Sequence, residues 1–339
     1  MQKYSFKNDY SEGCHESILK TMMESNLEQH EGYGHDYYSE KAKEFIRKKI
    51  RNKNSDIYFV SGGTQANLIS ISAVLKHHEA IIAVKTSHIS LREAGAIEAT
   101  GHMIINKQDE NGKITVKKIQ EALDIITMPD HMVRPKLVFI SNSTEIGSIY
   151  TRKELEKISF FCKKNNLYLY LDGARLGSAL ASPNNDMTIE DISNLVDMFY
   201  IGGTKNGALL GEAIVINNNK MKEDFRFHLK QKGALLAKGR LLGIQFYELF
   251  KENLFFELAE HINNMAMKLA NGIKEKGYKF MLEPESNQIF PILSNELIKK
   301  LEKKFIFYIW EKGDKESVVR LVTSWATRED KVDEFLNEL

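Results

Sequence analysis

The chain has 339 residues, of which 42% are hydrophobic and 27% are charged, and its 47 basic side chains nearly balance 46 acidic ones. This balance excludes an overall field that would draw the chain to nucleic acid or to an anionic membrane. Two cysteines exclude a disulfide framework or a cysteine-built metal site. Because no run approaches the ~18 apolar residues of a membrane span and no signal peptide is visible, we expect a cytoplasmic protein. We also expect no bound metal.

Short apolar runs alternate with helical patterns through the larger, N-terminal part of the chain. Several runs are continuously apolar, as in strands covered on both faces. This alternation favours an α/β fold with a mostly parallel sheet and right-handed crossovers. The predicted strands cover residues 56–60, 80–84, 102–106, 136–141, 167–171, 196–201 and 213–216, and the helices between them include residues 67–77, 116–126 and 152–165.

The pattern changes from about residue 231, where a long helical stretch covers residues 235–276. It is followed by a mixed α+β pattern, so the sequence predicts a larger domain with an N-terminal arm, residues 1–252, and a smaller C-terminal domain, residues 253–339. The C-terminal predictions are strands at residues 287–292, 305–309 and 317–322 and helices at residues 297–304 and 331–339.

A possible phosphate site follows the first strand of the predicted sheet. The strand breaks at two glycines, and an amphipathic helix then opens in residues 64–67. Unpaired N–H groups and a partial positive charge at a helix N-terminus suit a phosphate, which could sit on Gly63, Thr64 and Gln65. Alone, the glycine pair indicates no more than an ordinary turn.

An acidic residue and a lysine stand just after two later predicted strands. One closes on Asp-Gly-Ala-Arg at residues 172–175 and the other on Gly-Gly-Thr-Lys at residues 202–205. A lone charge at such a place is usually solvated. Pyridoxal phosphate, however, needs a lysine amine for its Schiff base and a carboxylate for its ring nitrogen. With the phosphate site, Asp172 and Lys205 supply the three anchors of that cofactor.

These motifs resemble those of the threonine aldolases, which belong to the aromatic amino-acid/β-eliminating lyase group of pyridoxal phosphate enzymes. The similar segments are residues 61–67, 171–175 and 203–205, and further similarity at residues 6–9, 33–36 and 319–325 extends over nearly the whole chain. The resemblance implies the aspartate aminotransferase type of fold (fold type I) with a large and a small domain. It also implies a homodimer or homotetramer with the cofactor at the subunit interface.

The resemblance assigns roles to residues that match the family's motifs. Lys205 would form the Schiff base and then transfer protons, and Asp172 would bind the ring nitrogen. Arg175 would reach the ring oxygen and a substrate carboxylate, the alternative for it being a surface ion pair. His88 would stack on the cofactor, unless it is simply solvated, and Arg320 would bind the substrate α-carboxylate through its planar fork.

Other assignments depart from the family pattern or have an equal alternative. Asn8 stands where the family usually has a serine near the substrate carboxylate. Lys238, or else Arg240, would reach the phosphate of a neighbouring subunit. Tyr33 and His35 would enter that neighbour's pocket, although packing explains either residue equally well.

Glu145 stands where many relatives have a histidine, near the substrate hydroxyl. A carboxylate can serve there as a general base. The resemblance implies cleavage of a β-hydroxy-α-amino acid, threonine or allo-threonine, to glycine and acetaldehyde. The alternatives are β-elimination or transamination on the same scaffold, a non-catalytic structural dimer that carries the cofactor, and a dinucleotide-binding enzyme, whose spaced glycines are missing here.

Overall fold

The computed structural model describes residues 3–339 as thirteen strands and thirteen α-helices. Two short 3₁₀ helices, Glu98–Thr100 and Asn219–Met221, complete the regular structure. In chain order the strands are β1 (Tyr4–Ser5), β2 (Asp56–Val60), β3 (Glu79–Val84), β4 (Ile104–Lys107), β5 (Arg134–Ser141), β6 (Tyr168–Asp172), β7 (Met198–Gly202), β8 (Glu212–Ile216), β9 (Gln288–Ile289), β10 (Ile292–Ser294), β11 (Phe305–Ile306), β12 (Tyr308–Glu311) and β13 (Glu316–Val322). The helices are α1 (Glu16–Glu24), α2 (Tyr37–Lys49), α3 (Gly63–Val74), α4 (His88–Leu91), α5 (Val116–Asp124), α6 (Arg152–Lys164), α7 (Leu176–Leu180), α8 (Ile189–Leu195), α9 (Phe225–Gln231), α10 (Arg240–Lys251), α11 (Leu254–Glu275), α12 (Asn295–Leu301) and α13 (Glu329–Glu338).

The central sheet has seven strands in the order β2-β8-β7-β6-β5-β3-β4. Only β8 is antiparallel to its neighbours β2 and β7, so the other six strands point the same way. Their carboxyl ends therefore meet at one edge, where ligands bind in open α/β sheets. The predicted α/β fold and its mostly parallel sheet are confirmed.

Helices cover both faces of this sheet, which explains why its strands are continuously apolar. Every residue of β3, β7 and β8 is buried. One face packs into a core that includes Leu171 and Phe199, and the other into a core that includes Tyr170 and Tyr200. Alternate residues of each strand thus serve opposite cores.

Helix α3 differs from the amphipathic helix that the sequence predicts. It buries the consecutive residues Ile69, Ser70 and Ile71 as well as Ala66 and Asn67, so its buried surface is wider than one stripe. It lies between the sheet and the segment around α9, with which it shares the second core. A helix covered from two sides needs no polar face.

Two glycines let the ends of β6 and β7 approach closely. The Gly202 N–H donates to Gly173 O over 3.0 Å. A Cβ at Gly173 would lie 1.8 Å from Tyr200 O, and one at Gly202 would lie 2.4 Å from Ala174 O. Any side chain at either position would push the two strand ends apart, and with them Asp172 and the turn that follows β7.

The C-terminal part forms a separate sheet in the order β10-β13-β12, with β9 also paired to β13. The predicted long helix is two helices, α10 and α11, interrupted at Glu252 and Asn253. Strand β1 pairs with β11, and Phe6 packs in the C-terminal core. The N-terminal arm therefore lies against the C-terminal sheet, while the division at residues 252 and 253 stays a prediction.

No helix within residues 3–339 is both long enough and apolar enough to cross a membrane.

The basic run at residues 47–53 includes the last turn of α2, where Arg47, Lys48 and Lys49 lie at the carboxyl end of the helix dipole. Cys162 of α6 is buried in the first core.

Candidate active site

A cavity of about 260 Å³ opens at the carboxyl edge of the central sheet and is closed on its far side by the C-terminal sheet. Its volume is close to the range of small-molecule sites. It brings together five predicted site residues, which are His88, Glu145, Arg175, Lys205 and Arg320. The other residues that line it are Tyr10, Arg92, Tyr308, Ile309 and Trp310.

Asp172 lies at the end of β6 and is buried. Its Oδ1 accepts hydrogen bonds from the Tyr200 hydroxyl at 2.5 Å and from the Ala174 N–H at 3.0 Å. Its Oδ2 accepts one from Asn67 Nδ2 at 3.0 Å. Three donors fix the carboxylate in one orientation, which suits a group that must hold a positively charged partner.

Lys205 lies in the tight turn between β7 and β8. The Gly203 and Thr204 N–H groups both donate to Gly211 O, and these contacts close the turn. Burial, followed by the positive charge of Arg175, lowers the pKa of Lys205. A larger share of its amine is therefore uncharged near neutral pH, as a nucleophilic lysine requires.

Arg175 is buried and forms a two-point ion pair with Asp9. Arg175 Nε lies 2.7 Å from Asp9 Oδ2, and its Nη2 lies 3.0 Å from Asp9 Oδ1. Burial opposes ionisation of Asp9, but Arg175 and Lys205 lower the pKa of that carboxyl to about 2. The pair is buried rather than on the surface, and it leaves Nη1 of Arg175 for a ligand.

Arg320 extends from β13 towards the same cavity. Its Nε and Nη2 donate to Gln288 Oε1 at 3.2 and 2.5 Å, and its guanidinium lies 5.9 Å from the Trp310 ring centre. Burial and the nearby Arg175 lower the pKa of Arg320 to about 10. Its partners in the described chain are a neutral amide and a ring, so its positive charge is available to a carboxylate.

His88 opens α4 at the end of β3, and its ring is tied to a buried acid. His88 Nδ1 lies 2.8 Å from Glu93 Oε1. Burial alone would lower the pKa of His88, but Glu93, Glu145 and Asp172 raise it overall. The imidazole is therefore held in place on one wall of the cavity.

The N-terminus of α3 reaches the same edge as Asp172 and Lys205. The helix has no side-chain cap, and its first internal bond joins the Ala66 N–H to Gly62 O. The N–H groups of Gly63, Thr64 and Gln65 thus precede the first bonded turn. The side chain of Gln65 accepts from the Ser61 N–H and hydroxyl, so what Gln65 could give a phosphate is its backbone N–H.

Five further predicted site residues lie neither in the cavity lining nor at Asp172 or the N-terminus of α3. The Asn8 side chain accepts bonds from Tyr10 N and Ser11 Oγ, so it shapes a turn while its neighbour Tyr10 lines the cavity. Arg240 donates to backbone carbonyl groups of residues 26 and 28. The remaining three are exposed: Tyr33, His35 and Lys238.

Four buried polar residues of the site were missed by the sequence predictions. Asp9 is the last residue of the family-like segment 6–9, and Asn67 is the last residue of the segment 61–67. Their positions in these motifs could have identified both residues. Glu93 and Glu212 gave no comparable signal, because each is one acid in a segment without a recognised pattern.

These features fit pyridoxal phosphate. The N-terminus of α3 is uncapped, as a phosphate site requires. Asp172 is a fixed carboxylate suited to the ring nitrogen, and Lys205 is a lysine of lowered pKa suited to the aldehyde. All three lie at one edge of the sheet. Within residues 3–339 no group of three or more His, Cys, Asp or Glu side chains is placed to hold a metal ion.

Glu212 is a buried acid beneath the turn that carries Lys205. Its Oε2 accepts the Gly203 N–H at 2.9 Å. Burial raises the pKa of Glu212 from 4.5 to about 7, against the opposing effects of Thr204 and Lys205. The folded chain thus keeps a proton on Glu212 at a pH where the unfolded chain has lost it.

This difference predicts a pH-dependent stability of the full-length chain. The free energy of unfolding falls by about 3 kcal/mol as the pH rises from 4.5 to about 7, and the loss stops above that pH. Denaturant titrations of wild type and Glu212→Gln across this range should diverge accordingly, since glutamine keeps the acceptor but cannot ionise. Parallel curves for the two proteins would contradict the assignment.

A family model described as β-eliminating lyase matches residues 8–296. The low specificity L-threonine aldolase of a Pseudomonas species is 30% identical over 344 residues, covering 100% of this chain and 97% of that protein.

Solved structures agree in fold. A threonine aldolase of Leishmania major is 50% identical with a TM-score of 0.97, over 98% of both chains. An aspartate aminotransferase of Thermus thermophilus superposes with a TM-score of 0.72 at 13% identity, over 99% of this chain and 90% of that one. The second similarity concerns the fold alone.

Proposed function

We propose a function from the premise that this chain belongs to the β-eliminating lyase family and, within it, to the threonine aldolases. It is a pyridoxal phosphate-dependent carbon–carbon lyase that cleaves threonine to glycine and acetaldehyde. The observation that carries the proposal is the convergence of Lys205, Arg175, Arg320 and Glu145 in one cavity at the sheet edge where Asp172 ends β6. Neither β-elimination, transamination nor a non-catalytic role is favoured by the relatives.

The cofactor would be held by Lys205 at its aldehyde, by Asp172 at its ring nitrogen and by the N-terminus of α3 at its phosphate. When bound, it stores the electron pair that the broken carbon–carbon bond releases. Lys205 contributes an amine whose lowered pKa favours covalent attachment. Asp172, fixed by three donors, would hold the proton of the ring nitrogen.

In the proposed site two arginines, Arg175 and Arg320, orient the substrate. Arg320, which forms no ion pair with a carboxylate of the described chain, would bind the α-carboxylate, and Arg175 would add its Nη1. Asp9 holds Arg175 so that it cannot swing away. Fixing the carboxylate would orient the substrate and so select which bond at Cα is broken.

Glu145 is the proposed base for the substrate hydroxyl. It lines the cavity together with His88 and Lys205. The proton leaves the β-hydroxyl for the Glu145 carboxylate as the Cα–Cβ bond breaks and acetaldehyde departs. Lys205, which lines the same cavity, would deliver a proton to Cα to give glycine, and Glu145 would release its proton to solvent, so that one proton is removed and one is added.

Subunit contacts complete the proposal: we propose a homodimer or homotetramer in the cytoplasm with Lys238 contributing to a neighbour's cofactor site. Lys238, Tyr33 and His35 are exposed in the single chain, as interface residues would be. Exposed apolar side chains flank Lys238 at Leu236 and Leu241. Such a concentration of apolar surface supports burial against another subunit.

The function is tested by the products formed. Purified protein loaded with pyridoxal phosphate is incubated with threonine and with allo-threonine, and glycine, acetaldehyde, ammonia and 2-oxobutanoate are quantified. Glycine and acetaldehyde in equal amounts support the proposal. Ammonia with 2-oxobutanoate as the main products would replace it by β-elimination.

Glu145→Gln separates the base from the rest of the site. The amide keeps the shape but cannot accept the hydroxyl proton, so we expect cleavage to slow by about 10²–10⁴-fold. Binding of glycine should be unchanged because glycine has no β-hydroxyl. The rate of acetaldehyde release and the glycine dissociation constant measure the two effects.

A matched control is Glu156→Gln, which makes the same change on the exposed side of α6. This variant should cleave threonine at the wild-type rate. If Glu145→Gln also cleaves at the wild-type rate, the proton goes elsewhere, and His88 becomes the next candidate.

A further inference from the structure

A chain of buried polar side chains lies behind the cavity and joins His88 to Asp172. His88 Nδ1 contacts Glu93 Oε1 at 2.8 Å. The same Glu93 oxygen accepts a hydrogen bond from Asn67 Nδ2 at 2.7 Å, and that nitrogen also donates to Asp172 Oδ2 at 3.0 Å. Tyr170 donates its hydroxyl to Asn67 Oδ1 at 3.1 Å, which fixes the direction of the amide.

Glu93 and Asn67 are both buried, and neither lines the cavity. Their contacts come from three separate segments: α4 and the residues after it, α3, and the end of β6. The second oxygen of Glu93, Oε2, is buried without a hydrogen-bond partner in the described chain. An acidic side chain kept at this desolvation cost, and in contact with both His88 and Asn67, points to an electrostatic role.

The geometry determines the state of the imidazole. A carboxylate can only accept, so the contact with Glu93 requires a proton on His88 Nδ1. The opposite nitrogen, Nε2, is then left to the cavity wall. The NH₂ group of Asn67 lies between the two acids. It donates one hydrogen bond to Glu93 and one to Asp172 and so separates their side chains.

We propose that Glu93 is a positioning residue that, with Asn67, locks His88 in its Nδ1-protonated form and couples the His88 ring to the Asp172 carboxylate. This role deepens the proposed function and rests on it, because His88 and Asp172 matter to catalysis only if the cavity binds the cofactor. Glu93 itself would touch neither cofactor nor substrate. It would act through the orientation and protonation of its two neighbours.

The charges around His88 determine what a test can detect. Glu93 contacts the ring directly, Glu145 faces it from the segment after β5, and Asp172 faces it from β6, while Lys205 opposes all three from the β7–β8 turn. Removing only the Glu93 charge therefore leaves the other three groups in place. We therefore expect that removing the Glu93 charge lowers the pKa of His88, and that His88 still titrates.

The decisive experiment follows His88 by NMR in the full-length chain with isotope-labelled histidine, with and without pyridoxal phosphate. A His88→Phe variant identifies the resonance among those of the 10 histidines. We expect the Nδ1-protonated tautomer in the wild type above the titration midpoint. In Glu93→Gln we expect the midpoint to fall by about one unit or more, and the pH profile of kcat to move with it in the loaded enzyme.

Glu98→Gln is the matched control, because Glu98 is an exposed acid in the same segment. Its His88 midpoint should equal that of the wild type. An unchanged midpoint in Glu93→Gln, or an Nε2-protonated tautomer in the wild type, would overturn the proposal. The tautomer needs only wild-type protein, so the test stands even if the variant does not fold, and neither reading requires turnover.

Discussion

Lys205→Ala is expected to abolish threonine cleavage while leaving the chain able to bind pyridoxal phosphate without a covalent bond. In the proposed site the Lys205 amine, which lines the cavity, is the nucleophile for the cofactor aldehyde. The N-terminus of α3 and Asp172 would still contact phosphate and ring. Removing a buried amine also removes a desolvated charge, so the fold should tolerate alanine.

Two measurements check this result. Acetaldehyde release should be undetectable in Lys205→Ala and normal in Lys157→Ala, which changes an exposed lysine of α6. Borohydride reduction of wild type, followed by peptide mapping, should attach the cofactor to Lys205. Attachment to a different lysine would refute the assignment.

Asp172→Asn is expected to keep the fold and to lose about 10²–10³-fold of the cleavage rate. Asparagine can still accept the Tyr200 and Ala174 bonds at one oxygen, so the loop after β6 stays in place. Its amide nitrogen carries no negative charge, however, and cannot keep a proton on the cofactor ring. The electron pair released by bond cleavage is then poorly stabilised.

Steady-state kinetics with threonine measures this loss, and a denaturant midpoint checks that the fold survives. Asp130→Asn, an exposed position before β5, should be unchanged in both measurements. A rate in Asp172→Asn within a few-fold of wild type would show that the carboxylate does not contact the ring nitrogen.

Most of the fold was predictable because burial on both faces leaves a simple pattern in the sequence. All seven strands of the central sheet lie within a few residues of the predicted ranges. The errors have local causes. The break between α10 and α11 falls at Glu252 and Asn253, polar residues that a helix tolerates, and β1 is too short to show a period.

The site was predictable where a residue ends a strand. Asp172 and Lys205 follow apolar runs beside glycine, so their position could be inferred before their contacts were known. Asn67 and Glu93 were not predictable as partners, because Asn67 lies 105 residues from Asp172 along the chain and 26 from Glu93. Only the packing of α3 against the sheet brings them together.

Strand β1 and the segment after it depend on residues near the other end of the chain. β1 pairs with β11, and Asp9 is held by Asn287 as well as by Arg175. On the ribosome, β1 is synthesised tens of seconds before β11 leaves the exit tunnel, at ordinary rates of translation. The central sheet could fold during that interval, but Arg175 would lack its oriented acid. If Arg175 binds the substrate carboxylate as proposed, the chain would acquire its complete substrate site only late in synthesis, once Asn287 and β11 have joined the fold.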